Sequence, residues 1–267
     1  MWPNNDRQST PVIWIASYPK SGNTWLRHIL NQLLCPDVGG HISVPFHARE
    51  FPEDIYVHEL PIGNVHLVKT HSYPGSEQLN AVSNPFYGAI TIRRHPLDIL
   101  LSAVNYNGIK TKSEFFLGGS IKTVDKIIED GEFDHYVEQF IELDGVSTYC
   151  VMSGPWSQYQ SQWNDVFTGP SHLTMVYEDM VARPEHSVMQ ISEYFQLDTD
   201  MNLAHDIVER VEEKTQVNGE FYWRKQAYNY RKLLPLKTIQ RFERHFEKQL
   251  LKLGYALTDS VSIHHKV

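Results

Sequence analysis

Residues 12–257 predict a single α/β domain in which helices cover both faces of a central parallel sheet, and three observations carry that expectation. Four short apolar runs rich in β-branched residues, VIWIA (12–16), VHLVK (65–69), GAITI (88–92) and HLTMVY (172–177), have the length of buried strands. Amphipathic helical patterns separate them, the alternation that builds a parallel sheet. The chain of 267 residues, 41% hydrophobic, suffices for one core of ordinary size.

Taken in order, residues 1–11 read as a flexible tail before the first strand. The polar turn SYPKSGNTW (17–25) follows that strand and opens a helix near Thr24, with Leu26, Ile29, Leu30, Leu33 and Leu34 at helical spacing and Pro36 as its stop. Pro96 suits a first helical turn and leads into DILLSAVNY. Residues 108–155 have weaker periodicity and read as a mostly helical excursion over one end of the sheet, near an acceptor site. After the fourth strand, PEHSVMQISEYF places Val188, Ile191 and Phe195 on one helical face. Leu236, Ile239, Phe242, Phe246, Leu250 and Leu253 predict one long amphipathic helix closed by Gly254, with residues 258–267 as a tail.

Composition excludes several functions. A formal net charge of -8 argues against a general nucleic-acid binder, which needs a surplus of Lys and Arg over one face. Cys35 and Cys150 make no disulfide framework, and the 14 histidines, His41/His47 and His264/His265 included, form no metal-ligand spacing, so no metal is expected. No apolar stretch approaches a membrane span and MWPNNDRQSTP lacks a signal-peptide layout. The expectation is a soluble, cytoplasmic protein.

In open parallel sheets ligands bind beyond the carboxyl ends of the strands. Those ends are polar here: SYPKSGNTW, then Lys69-Thr70-His71, then Arg93 to Pro96, then Tyr177 to Met180. A glycine-containing turn feeding a helix aims backbone N–H groups and the positive end of the helix dipole at one spot, which suits a phosphate-like anion. Lys20, Ser21 and Thr24 add side-chain donors. Against the Walker pattern GxxxxGK[ST], Gly22-Asn23-Thr24 replaces the lysine by asparagine and the first glycine is missing, which counts against an ordinary ATP-dependent enzyme.

YPKSGNTW resembles YPKSGTTW, the 5′-phosphosulfate loop of sulfotransferases that use 3′-phosphoadenosine 5′-phosphosulfate, and RRHPLDILLSAVNY resembles their 3′-phosphate segment. KTH lies between these segments, GPWSQYQSQW and YEDM follow, and the resemblance runs from Val12 to Tyr255. It implies a P-loop-type sheet, sulfuryl transfer with 3′-phosphoadenosine 5′-phosphate as product, and no metal. Carried over by position, it implies that Lys20, Ser21, Gly22, Asn23 and Thr24 hold the phosphosulfate, that Trp25 stacks on the adenine and that Tyr177 touches it. Arg94 and Ser102 would bind the 3′-phosphate, His71 would be the base, and Lys20 and Lys69 would flank the bridging oxygen. Two departures stand out. Asn23 replaces a common threonine, and FYWRKQAYNYRK has Gln226 where the family often has glycine, so Arg224 and Lys225 match a looser pattern.

Each residue also has a plainer reading. Trp25 also fits as a core residue of its helix, Arg94 as the partner of Asp98 one turn on, Ser102 as a buried helix serine, and Arg224-Lys225 as an exposed basic pair. His71 at a strand end also fits a hydrogen-bonded histidine. Phe46, His47, Tyr73, Tyr106, Phe115 and Phe116 suit an apolar acceptor pocket. The acidic balance disfavours a heavily anionic acceptor and favours a small phenol, alcohol, amine, natural product or glycolipid. No counterpart of the family's dimerisation motif is found, and the sequence leaves a homodimer open. The rival functions are a P-loop small-molecule kinase and a non-catalytic nucleotide-binding protein of the same fold.

Overall fold

The computed structural model describes residues 9–35, 56–106, 122–216 and 224–258. These group into two compact units that alternate along the chain, 1–93 with 159–219 and 94–158 with 220–267.

The first unit holds the sheet. Its strands are β1 (Val12–Ser17), β2 (His58–Leu60), β3 (Gly63–Thr70), β4 (Phe86–Arg93) and β5 (His172–Val176), in the spatial order β2-β3-β1-β4-β5. β1 is parallel to β3 and β4, and β4 to β5. β2 adds an antiparallel edge that the sequence pattern did not show, because three residues (HEL) are too few to display alternation. With β3 on one side of β1 and β4 on the other, the chain reverses its direction of growth beside the end of β1, where sheets of this kind bind ligands.

β1 is buried along its whole length, so both faces of the sheet are covered. Ile13, Ile15, Val65, Leu67, Ile90, Ile92 and Met175 point to one face, as period-two alternation requires. They meet the apolar stripes of α1 (Asn23–Leu34) and of the helices Pro184–Tyr194 and Met201–Gln216. On the opposite face the amide of Gln160 donates to Thr91 Oγ1 (2.9 Å) and Thr174 Oγ1 (3.4 Å), joining a polar cluster in which His172 Nε2 also lies 2.9 Å from Thr91 Oγ1.

The second unit is helical. α2 (Pro96–Tyr106) starts at the proline the sequence marks, and the expected excursion forms, from residue 122 onward, Val124–Glu129, Phe133–Leu143 and Ser147–Ser153. Residues 108–121 of that excursion, and all but the inner ends of the two expected tails, lie outside the described residues. The expected long terminal helix is two, Leu236–His245 and Glu247–Lys252. Phe246 sits at the joint with φ -102°, in contact with Phe140, Trp156 and Phe242 at ring separations of 5.9, 5.4 and 4.9 Å. The bend accommodates that aromatic packing, and the hydrophobic period runs through it unchanged, which is why the sequence reads as one helix.

Candidate active site at the strand tips

β1 leaves the sheet at Ser17 and re-enters regular structure at Asn23, and the five residues between carry unusual backbone. Lys20 (φ 69°) and Gly22 (φ 107°) are both left-handed, and Ser21 N–H donates to the Tyr18 carbonyl at 3.2 Å. Left-handed residues in a short turn favour a concave backbone of the kind that suits an anion. Gly22 caps α1 without any side-chain hydrogen bond, so the first-turn amides have no intrahelical acceptor and present partial positive charge. A side chain at residue 22 is doubly excluded. The φ is in the glycine region, and a Cβ would lie 2.6 Å from Cδ2 of Tyr177.

Ser21 is fully buried, and its hydroxyl has no hydrogen-bond partner among the described residues. A buried orphan donor inside such a loop suits an oxygen of a bound anion. Asn23 behaves differently. Its Nδ2 turns back to the strand, donating to the Ile15 carbonyl (3.0 Å) and to Ser17 Oγ (3.2 Å). Trp25 and Tyr177 are almost wholly buried in the core of the first unit and meet edge-to-face at 6.1 Å, in keeping with the core reading of Trp25. Tyr177 is not a strand residue: β5 ends at Val176 and YEDM is the first turn of a short helix, Tyr177–Ala182.

The parallel register Ala16 with Thr70 brings the end of β3 beside the loop. His71, half-buried, approaches the Ser17 carbonyl with Nδ1 at 2.7 Å. A carbonyl only accepts, so Nδ1 carries the hydrogen and Nε2 holds the ring's lone pair. Burial, then the charge of Lys69, then Arg27 and Lys20 push the imidazole down to about 3, opposed by the bond to Ser17. Lys69 is itself lowered to about 8, by burial first and Arg27 second. Like charges have been gathered in a place shielded from water, which disfavours every added proton.

Arg27 belongs to this cluster although the sequence reading did not select it. It stands one helical turn after Asn23, on the same side of α1, and a lone arginine in an amphipathic helix carries no signal of its own.

Arg94, Ser102, Arg224 and Lys225 belong to the second unit. Arg94 is buried, with Nη2 at 4.0 Å from Asp98 Oδ2, so the alternative pairing exists but as an interior contact and not a surface one. Asp98 is almost fully buried and accepts the backbone N–H of Tyr230 at 3.0 Å. Burial pushes its carboxyl up, while Arg94 and the backbone N–H groups of Tyr230, Tyr228 and Asn229 pull it down. Asp98 thus ties α2 to the segment just beyond Lys225, a role the sequence did not reveal because its partners are 130 residues away and are backbone groups. Ser102 is half-buried on α2. Arg224 (φ 46°) is exposed and bonds Asp125 Oδ1 at 3.0 Å. Of the expected acceptor residues, Tyr73 and Tyr106 are half-buried, and Phe46, His47, Phe115 and Phe116 lie outside the described residues. Among the described residues no group of three His, Cys, Asp or Glu is placed to share a metal ion, and no helix is long and apolar enough to cross a membrane.

Sheet order, a tight glycine-containing loop at the central strand tip and a histidine beside it define an α/β protein of the P-loop-type fold. Comparison with known proteins then gives the family. The profile described as "Sulfotransferase domain" matches residues 10–254, and the chain belongs to that family. Sulfotransferase 1A1 of Rattus norvegicus is 26% identical over 208 residues, which cover 72% of this chain and 60% of the relative. A WSCD family member of Drosophila pseudoobscura pseudoobscura is 27% identical over 209 residues, covering 77% of this chain and 57% of that protein. The chain therefore spans well under two thirds of the length of these curated relatives. Among solved structures, mouse sulfotransferase SULT7A1 complexed with PAP superposes with a TM-score of 0.63 at 15% identity, covering 92% of this chain and 86% of that one. Retinol dehydratase in complex with androsterone and inactive cofactor PAP gives 0.57 at 12% identity, covering 90% and 80%. These two show the shared fold.

Proposed function

We propose that this protein transfers a sulfuryl group from 3′-phosphoadenosine 5′-phosphosulfate to a hydroxyl or amine of a small-molecule acceptor, with His71 as general base. The observation that carries this reading is the 2.7 Å contact of His71 Nδ1 with the Ser17 carbonyl, which holds the imidazole as a proton acceptor at Nε2 beside the loop. The donor fits the residues present: the buried Ser21 hydroxyl and the cradle at Gly22 suit its phosphate oxygens. Two structural neighbours have PAP in their crystals.

In this reading Lys20 to Thr24 bind the 5′-phosphosulfate, and Lys20 and Lys69 stabilise charge on the departing phosphate oxygen. Bound, the donor supplies an electrophilic sulfur and a phosphate leaving group. Arg94 and Ser102, with Arg224 and Lys225, bind the 3′-phosphate, Trp25 stacks on the adenine and Tyr177 touches it. His71 Nε2 takes the acceptor's proton as its oxygen attacks. Burial, then Lys69, Arg27 and Lys20, hold the imidazole neutral, and negative charge arriving with the donor offsets the three cations, so His71 becomes a stronger base once the donor is bound. An acceptor without much negative charge fits the acidic balance of the chain.

The test is incubation with sulfur-labelled donor and a panel of phenols, alcohols and amines, with labelled product read by mass. His71→Ala is expected to keep its affinity for 3′-phosphoadenosine 5′-phosphate in calorimetry and to lose about 10²- to 10⁴-fold in turnover. Transfer by this variant at the parent rate removes His71 from the mechanism. No uptake of the nucleotide by the parent protein removes the whole reading.

A further inference from the structure

We infer that the side chain of Asn23 is a positioning residue for His71, acting through Ser17: it holds the end of β1 so that Ser17 offers the imidazole its carbonyl and not its hydroxyl. The inference rests on His71 being the base, and it gives residue 23 a task separate from binding the donor.

Two oxygens of Ser17 lie near His71 Nδ1, the carbonyl at 2.7 Å and the hydroxyl at 3.4 Å. They impose different things on the ring. A carbonyl accepts only, which forces the hydrogen onto Nδ1 and leaves Nε2 basic. A hydroxyl also donates, and a hydroxyl hydrogen bonded to Nδ1 would stabilise the other tautomer, whose Nε2 already bears the hydrogen and has no lone pair in the ring plane with which to take the acceptor's proton. The oxygen of Ser17 that meets the ring therefore biases which nitrogen carries the hydrogen.

Asn23 controls that choice. It is 5% exposed, and its one amide nitrogen spans two acceptors on β1, the Ile15 carbonyl at 3.0 Å and Ser17 Oγ at 3.2 Å. The first bond anchors the amide to the strand, and the second draws the Ser17 hydroxyl toward α1. Asn23 Oδ1 is buried with no hydrogen-bond partner among the described residues, so the two bonds made by Nδ2 are the ones that set the amide's orientation. Threonine, which the similar motif YPKSGTTW carries here, has one donor on a shorter side chain and cannot make both bonds. The departure at residue 23 is thus a second device built into the loop.

Nitrogen-15 NMR of the histidine rings in the full chain tests this without any turnover, with the His71 signals assigned by their loss in His71→Ala. The parent protein is expected to show His71 with its hydrogen on Nδ1. Asn23→Ala is expected to mix the tautomers. Asn23→Asp, of the same shape but with no N–H to donate, does the same and serves if the alanine variant does not fold. The decisive variant is Ser17→Ala combined with Asn23→Ala, which leaves the carbonyl as the sole oxygen of Ser17 and is expected to restore the hydrogen to Nδ1. In transfer assays Asn23→Ala should lose about 10- to 100-fold in kcat with KM for the donor within a few-fold, because the backbone N–H by which residue 23 meets the donor in the proposed reading is retained. A folded Asn23→Ala or Asn23→Asp protein with the parent tautomer overturns the inference, and so does a double variant no different from Asn23→Ala. Because the tautomer is read in the resting protein, failure of the proposed activity would appear separately, as absent transfer with the NMR pattern intact.

Discussion

In the first unit Lys69 is lowered by burial and then Arg27, and His71 by burial, then Lys69, Arg27 and Lys20, against the opposing bond to Ser17, so both are pushed toward their neutral forms. In the second unit Arg94 and Arg224 each face a carboxylate, Asp98 and Asp125. The difference is one of readiness. Like charges held together in a shielded place raise the energy of the resting protein and are relieved by an incoming anion, whereas a cation already facing a carboxylate must exchange one anion for another. At the strand tip, burial and neighbouring cations lower Lys69 and His71, whereas Arg94 and Arg224 of the second unit are held beside their own acids.

The largest way to break this comparison is at Gly22. Gly22→Ala places a Cβ against the Tyr177 ring in a left-handed conformation. Strain alone costs roughly 1–3 kcal/mol. Thermal unfolding should show the loss, and calorimetry should show nucleotide uptake abolished. Unchanged melting and binding would mean that the loop tolerates another path and that its amides are not the cradle. Next is Asp98→Ala, which strips the N–H of Tyr230 of its buried acceptor and leaves Arg94 buried without its carboxylate. A loss of about 1–3 kcal/mol is expected from denaturant midpoints, with Asp98→Asn milder because Oδ1 is retained. Equal stability of Asp98→Ala and the parent would show that the acid does not organise this unit.

The pH dependence sharpens the electrostatic half of the comparison. His71 is lowered to about 3, His58 to about 4 by burial and His66, and His95 also falls below its ordinary value by burial, Arg231 and Arg94. Between the ordinary histidine value of about 6.5 and these lower values, the unfolded chain takes up protons that the folded chain refuses. Stability is therefore full above about pH 6.5 and declines as pH falls toward 4, which calorimetry at pH 7 and pH 5 reads as a lower Tm at pH 5. Saturating 3′-phosphoadenosine 5′-phosphate should move the His71 titration upward in NMR. A His71 signal that titrates at the same pH with and without nucleotide would separate the cation cluster from the anion site. The smallest effect is expected at Asp125→Asn, where the ion pair with Arg224 is exposed on both sides. The Tm should barely move, and nucleotide affinity should rise by about two- to five-fold if Arg224 exchanges Asp125 for a phosphate. A loss of affinity would show that Asp125 orients Arg224 instead of competing for it.

Much of this site could be read from the sequence because its residues are local. Lys20 to Thr24 form one contiguous loop, and KTH ends an apolar run, so β-strand periodicity alone places Lys69 and His71 near a strand tip. What escaped the reading depends on contacts with no periodic or local signature. Arg27 matters because β3 lies beside β1, and Asp98 because three backbone amides more than a hundred residues later converge on it. Glycine at position 22 was legible as a turn residue, yet its second requirement, room for the Tyr177 ring, comes from a residue 155 positions away.

By itself, the sequence determined the α/β class, the strand-to-helix loop, the family resemblance and the identity of the histidine beside the loop, because apolar period and contiguous motifs are properties of the chain. Only the tertiary structure decided which atoms of those residues do what. The hydrogen on His71 Nδ1, the two bonds of the Asn23 amide and the lowered pKa of Lys69 all arise from neighbours brought in by strand pairing and burial. Local sequence specifies what groups are present, and the shielding and direction that make them reactive exist only once the sheet has formed.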